Sequence, residues 1–194
     1  DTKARMSTGA STAITVVEDY TKICWLQFTV TGGCDTIVGG ASNYVEIFGN
    51  ISKSVNSTGS EFVYSSSNYC NFWKIYNNII YDHANAGIYT ANSGGVAWSI
   101  FNNTCHNCNK GMRSEASNAL YYDEAKNNLL KSCTTAIFGT YKAGSGYNAT
   151  DNASMGYTVV DGAIGDHVSH TFTFVNEGAD DFHLASNDAG AIGF

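Results

Sequence analysis

The chain contains no proline at all, and nothing in the sequence accounts for that in a protein whose turns fall to Asn, Gly and Ser. It is poor in charge, with 14% of residues Asp, Glu, Lys or Arg, which argues against a charge-rich disordered chain. Basic residues are the scarcer sign: 10 Lys and Arg stand against 17 Asp and Glu, for a net charge of −7. No basic cluster offsets this balance, so nucleic acid is not an expected partner. An anionic polysaccharide would be repelled as well unless a cation intervened. No apolar run is long enough to cross a membrane, and no signal-peptide pattern is present. The chain opens on Asp1 rather than Met, as expected of a processed product or a piece of a longer one.

What is present is a repeat. Asn50, Asn78, Asn103 and Asn128 close the frames Ile47-Phe48-Gly49-Asn50, Ile75-Tyr76-Asn77-Asn78, Ile100-Phe101-Asn102-Asn103 and Ala125-Lys126-Asn127-Asn128, at spacings of 28, 25 and 25. A unit of this length cannot bury its apolar face until neighbours stack on it, which makes it one coil of a solenoid. A second column, Ile37, Phe62, Ile88, Met112 and Ile137, repeats at 25, 26, 24 and 25. Two short apolar strands per coil, rich in β-branched and aromatic residues, predict β-structure. At ~3.3 Å per residue, ~25 residues travel once around a small prism and lie on the previous coil at ~4.8 Å. The predicted fold is all-β, a single-stranded parallel β-helix of about six to seven coils. It is read as one domain over 1–194. Residues 1–14 form a lead-in or cap, 15–155 the coils, and 156–194 the last coil and cap, with 170–176 and 181–184 as final strands.

The Asn column predicts an internal ladder. Stacked amides carry a donor and an acceptor each and bond to the copies above and below, whereas burying one alone costs ~1–3 kcal/mol. Asn148 continues the column after a coil shortened to 20 residues, and Leu26 holds the same coordinate 24 residues before Asn50, so the ladder begins one coil in.

Three stretches carry a resemblance: Tyr20-Thr21-Lys22-Ile23-Cys24-Trp25-Leu26-Gln27-Phe28-Thr29-Val30, the repeated Ile-x-Asn-Asn frame, and Asp181-Phe182-His183-Leu184-Ala185-Ser186-Asn187-Asp188-Ala189-Gly190-Ala191-Ile192-Gly193. Over most of 14–194 the chain resembles the right-handed parallel β-helix, or pectate-lyase-like, superfamily. The closing phrase departs from the group in having Asn187-Asp188 where Ser-Pro is usual. The resemblance implies a right-handed coil and an extracellular, cell-surface or virion-surface setting. It implies no reaction, because the superfamily spans lyases, hydrolases, esterases, tailspikes and inert surface proteins.

Six cysteines suit an oxidising compartment. Cys108 and Cys133 each lie five residues beyond a ladder Asn. They therefore stack at ~4.8 Å, within the Cα range of a disulfide; the alternative is two reduced thiols packed as small apolar groups. His83 shares that coordinate, and Cys105 and His106 are near. Residues 105 and 106 point to opposite faces of a strand, so core thiols or a disulfide beside surface histidines are favoured over a metal site.

Glu46, Lys74, Ser99 and Glu124 precede the inward Ile47, Ile75, Ile100 and Ala125 and form an outward charged stripe. Glycoside hydrolysis needs carboxylates ~5–9.5 Å apart, whereas Glu46 and Glu124 are three coils, or ~14 Å, apart. A lyase of the resembled superfamily would use Lys or Arg as base and hold Ca²⁺ with carboxylates. The nearest approximation is Lys74 or Lys126 with Asp123, Glu124, Arg113 and Glu115. Phe48, Tyr76 and Phe101, followed by Lys126, make an outward aromatic strip suited to sugar rings or another protein. Trp73, Trp98 and Tyr122 repeat beside it, and one of the two columns is core.

The first functional reading is a non-enzymatic structural or adhesive β-helix presenting side faces to glycans or protein subunits, with assembly into homo-oligomers or filaments if the coil ends are uncapped. It calls for no cofactor. The alternative is a lyase or hydrolase acting on acidic polysaccharide, with Ca²⁺ in the lyase case.

Overall fold

A computed structural model describes residues 4–9, 11–55, 58–91, 97–116, 122–186 and 188. The chain is a parallel β-solenoid with three strands per coil, one more than the two apolar columns predict. Strand β1 (Ala4–Thr8) leads in. The first coil holds β2 (Ile14–Val16), β3 (Lys22–Cys24) and β4 (Leu26–Thr31), and the second β5 (Ile37–Gly39), β6 (Glu46–Phe48) and β7 (Ile51–Val55). The third holds β8 (Glu61–Ser65), β9 (Lys74–Tyr76) and β10 (Ile79–Tyr81), and the fourth β11 (Ala86–Thr90), β12 (Ser99–Phe101) and β13 (Thr104–His106). The fifth holds β14 (Lys110–Ser114), β15 (Glu124–Lys126) and β16 (Leu129–Lys131). An incomplete coil with β17 (Thr135–Tyr141) and β18 (Ala149–Thr150), then β19 (Tyr157–Val159), ends the stack. Five coils are complete, against the six to seven expected, because the ends supply only β1, β17, β18 and β19.

Equivalent strands form three parallel sheets. The five-stranded one, β3-β6-β9-β12-β15, is called the aromatic sheet below. The covered sheet runs β1-β4-β7-β10-β13-β16-β18, and the tyrosine sheet β2-β5-β8-β11-β14-β17-β19. The unforeseen third strand arises because each ladder Asn follows a residue with left-handed backbone: Gly49 (φ 65), Asn77 (φ 56), Asn102 (φ 57) and Asn127 (φ 53). Gly and Asn enter that region at least cost. The frame Ile-x-Asn-Asn-Ile therefore bends sharply and feeds two sheets rather than one.

The ladder forms as predicted. Asn78 Nδ2 donates to Asn103 Oδ1 at 3.0 Å and to the Ile47 carbonyl at 3.0 Å, and its backbone N–H donates to the same Asn103 oxygen at 3.1 Å. Asn50, Asn103, Asn128 and Asn148 repeat the pattern and are buried like Asn78. At one end the Leu26 N–H donates to Asn50 Oδ1 at 3.0 Å. At the other, Asn148 N–H donates to Asp166 Oδ1 at 2.9 Å, so a carboxylate that only accepts closes the column.

Three apolar columns fill the interior: Ile23, Ile47, Ile75, Ile100 and Ala125 behind the aromatic sheet; Ile37, Val63, Ile88, Met112 and Ile137 behind the tyrosine sheet; Phe28, Ile80, Cys105 and Leu130 behind the covered sheet. Val63, not Phe62, pairs with Ile37 and Ile88; both are buried, which is why the sequence pattern placed the column one residue early. Trp73 and Trp98 stack in the core at 4.9 Å.

The segments expected as final strands, β20 (Phe174–Asn176) and β21 (Asp181–Leu184), pair antiparallel and lie along the outside of the covered sheet. Phe174 and Phe182 bury Tyr81 there, beside Ile51, Ile79 and Leu129. Lys53 bonds Asp180 at 3.0 Å, and Lys131 pairs with Glu177. In the closing phrase, Asn187 and residues 189–194 lie outside the described residues.

All six cysteines are free thiols. Cys108 and Cys133 are buried neighbours on adjacent coils, and hydrogen bonding between them together with burial raises the Cys108 thiol well above its usual range. His83 is not at the surface as expected. It is fully buried, takes a 3.0 Å contact from Ser52 Oγ at Nε2, and burial pushes its pKa down to about 3.

Candidate functional site

The outer face of the aromatic sheet collects most of the residues singled out in the sequence. Strand alternation turns Phe48, Tyr76 and Phe101 outward in one register, with Lys126 next below. Their rings stack at 5.0 Å and 4° and at 4.9 Å and 2°, and Trp25 meets Phe48 edge-on at 5.9 Å. Two residues back along each strand runs the charged row Lys22, Glu46, Lys74, Ser99 and Glu124. A third row lies at the corner before the sheet and was not legible in the sequence. Tyr20, Tyr44 and Phe72 stack there at 5.1 and 5.2 Å, with 72%, 47% and 50% of their surfaces exposed. All three have positive φ (58, 57 and 59), which is unusual for a bulky side chain. Beside them the side chains of Asp19, Asn43 and Asn71 form a surface ladder, with Asn71 Nδ2 donating to Asn43 Oδ1 at 3.0 Å.

Rings stacked this way present their edges outward, because each face is covered by the ring one rung away. The central row ends at Phe101, where the next rung supplies Lys126 instead of a ring. Lys126 Nζ bonds Glu124 Oε1 at 2.6 Å, and Lys142 Nζ bonds Glu124 Oε2 at 2.8 Å. Burial alone would raise the Glu124 carboxyl, but these two lysines hold it below its usual range. With Ser99 contributing only a hydroxymethyl group, a shallow cavity of about 310 Å³ opens, lined by Lys74, Ser99, Ile100, Phe101, Glu124, Lys126 and Asn127. The structure thus brings Phe101 of the aromatic strip together with Lys74, Glu124 and Lys126 of the lyase approximation.

The other candidates lie elsewhere. Asp123 is fully buried in register below Trp98, in the place expected for Tyr122. Burial raises its pKa, against hydrogen bonds from Thr90, the Trp98 N–H and Ser114. Arg113 belongs to the tyrosine sheet, and Glu115 directly follows its strand. Arg113 lies 4.2 Å over Tyr89, whose hydroxyl donates to Glu115 at 2.9 Å. In register on that sheet stand Tyr64, Tyr89, Arg113 and Phe138, a row with no sequence forecast. Glu61, buried beside Asp35 and bonded by Asn85, is raised to about 9, chiefly by burial and then by the Asp35 carboxyl. Among the described residues no group of His, Cys, Asp and Glu is arranged to hold a metal ion.

No family model matches the chain, and comparison with curated proteins and with solved structures likewise returns no match.

Proposed function

We propose that the protein is a non-enzymatic β-solenoid of the extracellular, cell-surface or virion-surface kind that binds glycan on its aromatic sheet. The observation that carries this reading is the cavity where the aromatic row ends at Phe101, lined also by Ser99, Asn127, Lys74, Glu124 and Lys126. An aromatic face accepts the C–H face of a sugar ring, and converging polar groups take its hydroxyls. Binding is preferred to lyase or hydrolase chemistry because the acid–base candidates are divided between two sheets and the interior. A protein subunit is the weaker alternative partner. Five strands at ~4.8 Å by five residues at ~3.3 Å give a face of roughly 400 Å², about half of what one partner buries in a stable interface.

The test is a glycan array probed with the wild type and with Phe101→Leu, alongside assays for new ultraviolet absorbance and new reducing ends. Retention without product is expected, with Phe101→Leu weaker by about three- to tenfold. A blank array overturns the reading, and released product replaces it with the polysaccharide-cleaving alternative.

A further inference from the structure

We infer that the glycan taken at the Phe101 cavity carries an oxyanion, a carboxylate or a sulfate, read by Lys74 and Lys126; this rests on the glycan reading and narrows its ligand. The whole-chain charge of −7 argues against such a ligand, but the local balance is reversed. Three ammonium groups, Lys74, Lys126 and Lys142, stand against the single carboxylate of Glu124. Glu46, the other acid on this row, is engaged by Lys22 at 3.4 Å and by the Tyr76 hydroxyl at 3.2 Å. Lys74, exposed on the rung between Glu46 and Ser99, has no ion pair among the described residues. Charges farther away than a Debye length, ~10 Å at 0.1 M salt, are largely screened, so the nearby lysines dominate what a ligand meets in the cavity.

The geometry gives each group one task. Phe101 has one face against Tyr76 at 4.9 Å and borders the cavity where the aromatic row ends, so a sugar ring packs against it there, beside the Lys126 side chain. Lys74 lies one rung above Ser99 and Lys126 one rung below Phe101, and both line the cavity the sugar enters. Lysine is a compact point charge without the planar fork that selects carboxylate geometry, so carboxylated and sulfated sugars share this chemistry. Ser99 and Asn127 remain for the hydroxyls.

The experiment is calorimetric titration of the intact protein with a uronic-acid disaccharide, a sulfated disaccharide and neutral cellobiose, at low and at high salt. Binding of either anionic sugar, with the neutral one at least about fivefold weaker and the difference shrinking at high salt, is the expected result. Lys74→Met and Lys126→Met should each weaken the anionic ligand by about two- to fivefold and reduce its salt dependence. Phe101→Leu should weaken all sugars alike. These side chains point outward, and an unchanged melting temperature verifies that each variant is folded. Equal, salt-insensitive binding of neutral and anionic sugars that is weakened by Phe101→Leu overturns the charge inference while leaving the glycan reading intact. No binding of any sugar, with a blank array, overturns both.

Discussion

Trp73 and Trp98 stack at 4.9 Å and 4°, and Tyr76 and Phe101, on the other side of the same strands, stack at 4.9 Å and 2°. The geometry is the same because one coil rises by one strand spacing, whichever way the side chain points. The surroundings differ. The indoles are 0% exposed and donate to the carbonyls of Ser42 at 2.8 Å and Cys70 at 2.6 Å. The outer rings are half-buried, and Tyr76 sends its hydroxyl to Glu46. Stacking in a solenoid is therefore no evidence of a binding role. What marks the outer row is that it stops at Phe101, where a cavity lined by polar side chains opens.

That contrast breaks most visibly at the tryptophans. Trp73→Ala should cost about 3–5 kcal/mol in urea unfolding, whereas Tyr76→Ala, at the same height in the stack, should cost about 1 kcal/mol. Equal losses would make the outer row structural and remove the case for a binding face. Next in size is Asn103→Leu, which strands the Asn78 N–H and amide and the Ile75 carbonyl. A loss of about 3 kcal/mol is expected. Asp166→Asn, at the ladder's end where one side has no rung to satisfy, should lose less than about 1 kcal/mol by the same measurement.

A pH effect sharpens the comparison on the tyrosine sheet. The Glu61 carboxyl lies at about 9 in the fold against an ordinary 4.5, so the native state keeps a proton that the unfolded chain releases between those values. Its stabilising effect is complete below 4.5 and is lost as pH climbs to about 9. Melting temperature should fall across that window, and Glu61→Gln should flatten the decline. The smallest expected effect is Phe101→Leu on stability, near zero within about 0.5 kcal/mol, although it weakens glycan binding.

The sequence made the solenoid legible through residues repeating at one coordinate: the ladder Asn residues, the isoleucines behind the aromatic sheet and the outward Phe48, Tyr76 and Phe101 all fall where the period puts them. It was silent where neighbouring positions share a burial class, as at Phe62 and Val63. It also hid the third strand, since Asn77 and Asn102 look like strand continuation until their left-handed backbone is seen. The cavity was only half legible. Its residues were each noticed, but the decisive feature is the interruption of an aromatic row by Lys126, and periodic reading looks for what recurs. Asp35 and Glu61 pair across coils with no repeated residue type to announce them.

Trp25 stands apart from the other two tryptophans: it is 60% exposed and lies across Gly49, where even one methyl group would meet its ring at 2.7 Å. A soluble quencher such as iodide should therefore extinguish its emission while sparing the sealed indole pair. The protein thus carries a native fluorophore at the first coil, three rungs of ~4.8 Å from Phe101, and the accessibility of that end of the face can be followed without attaching a dye.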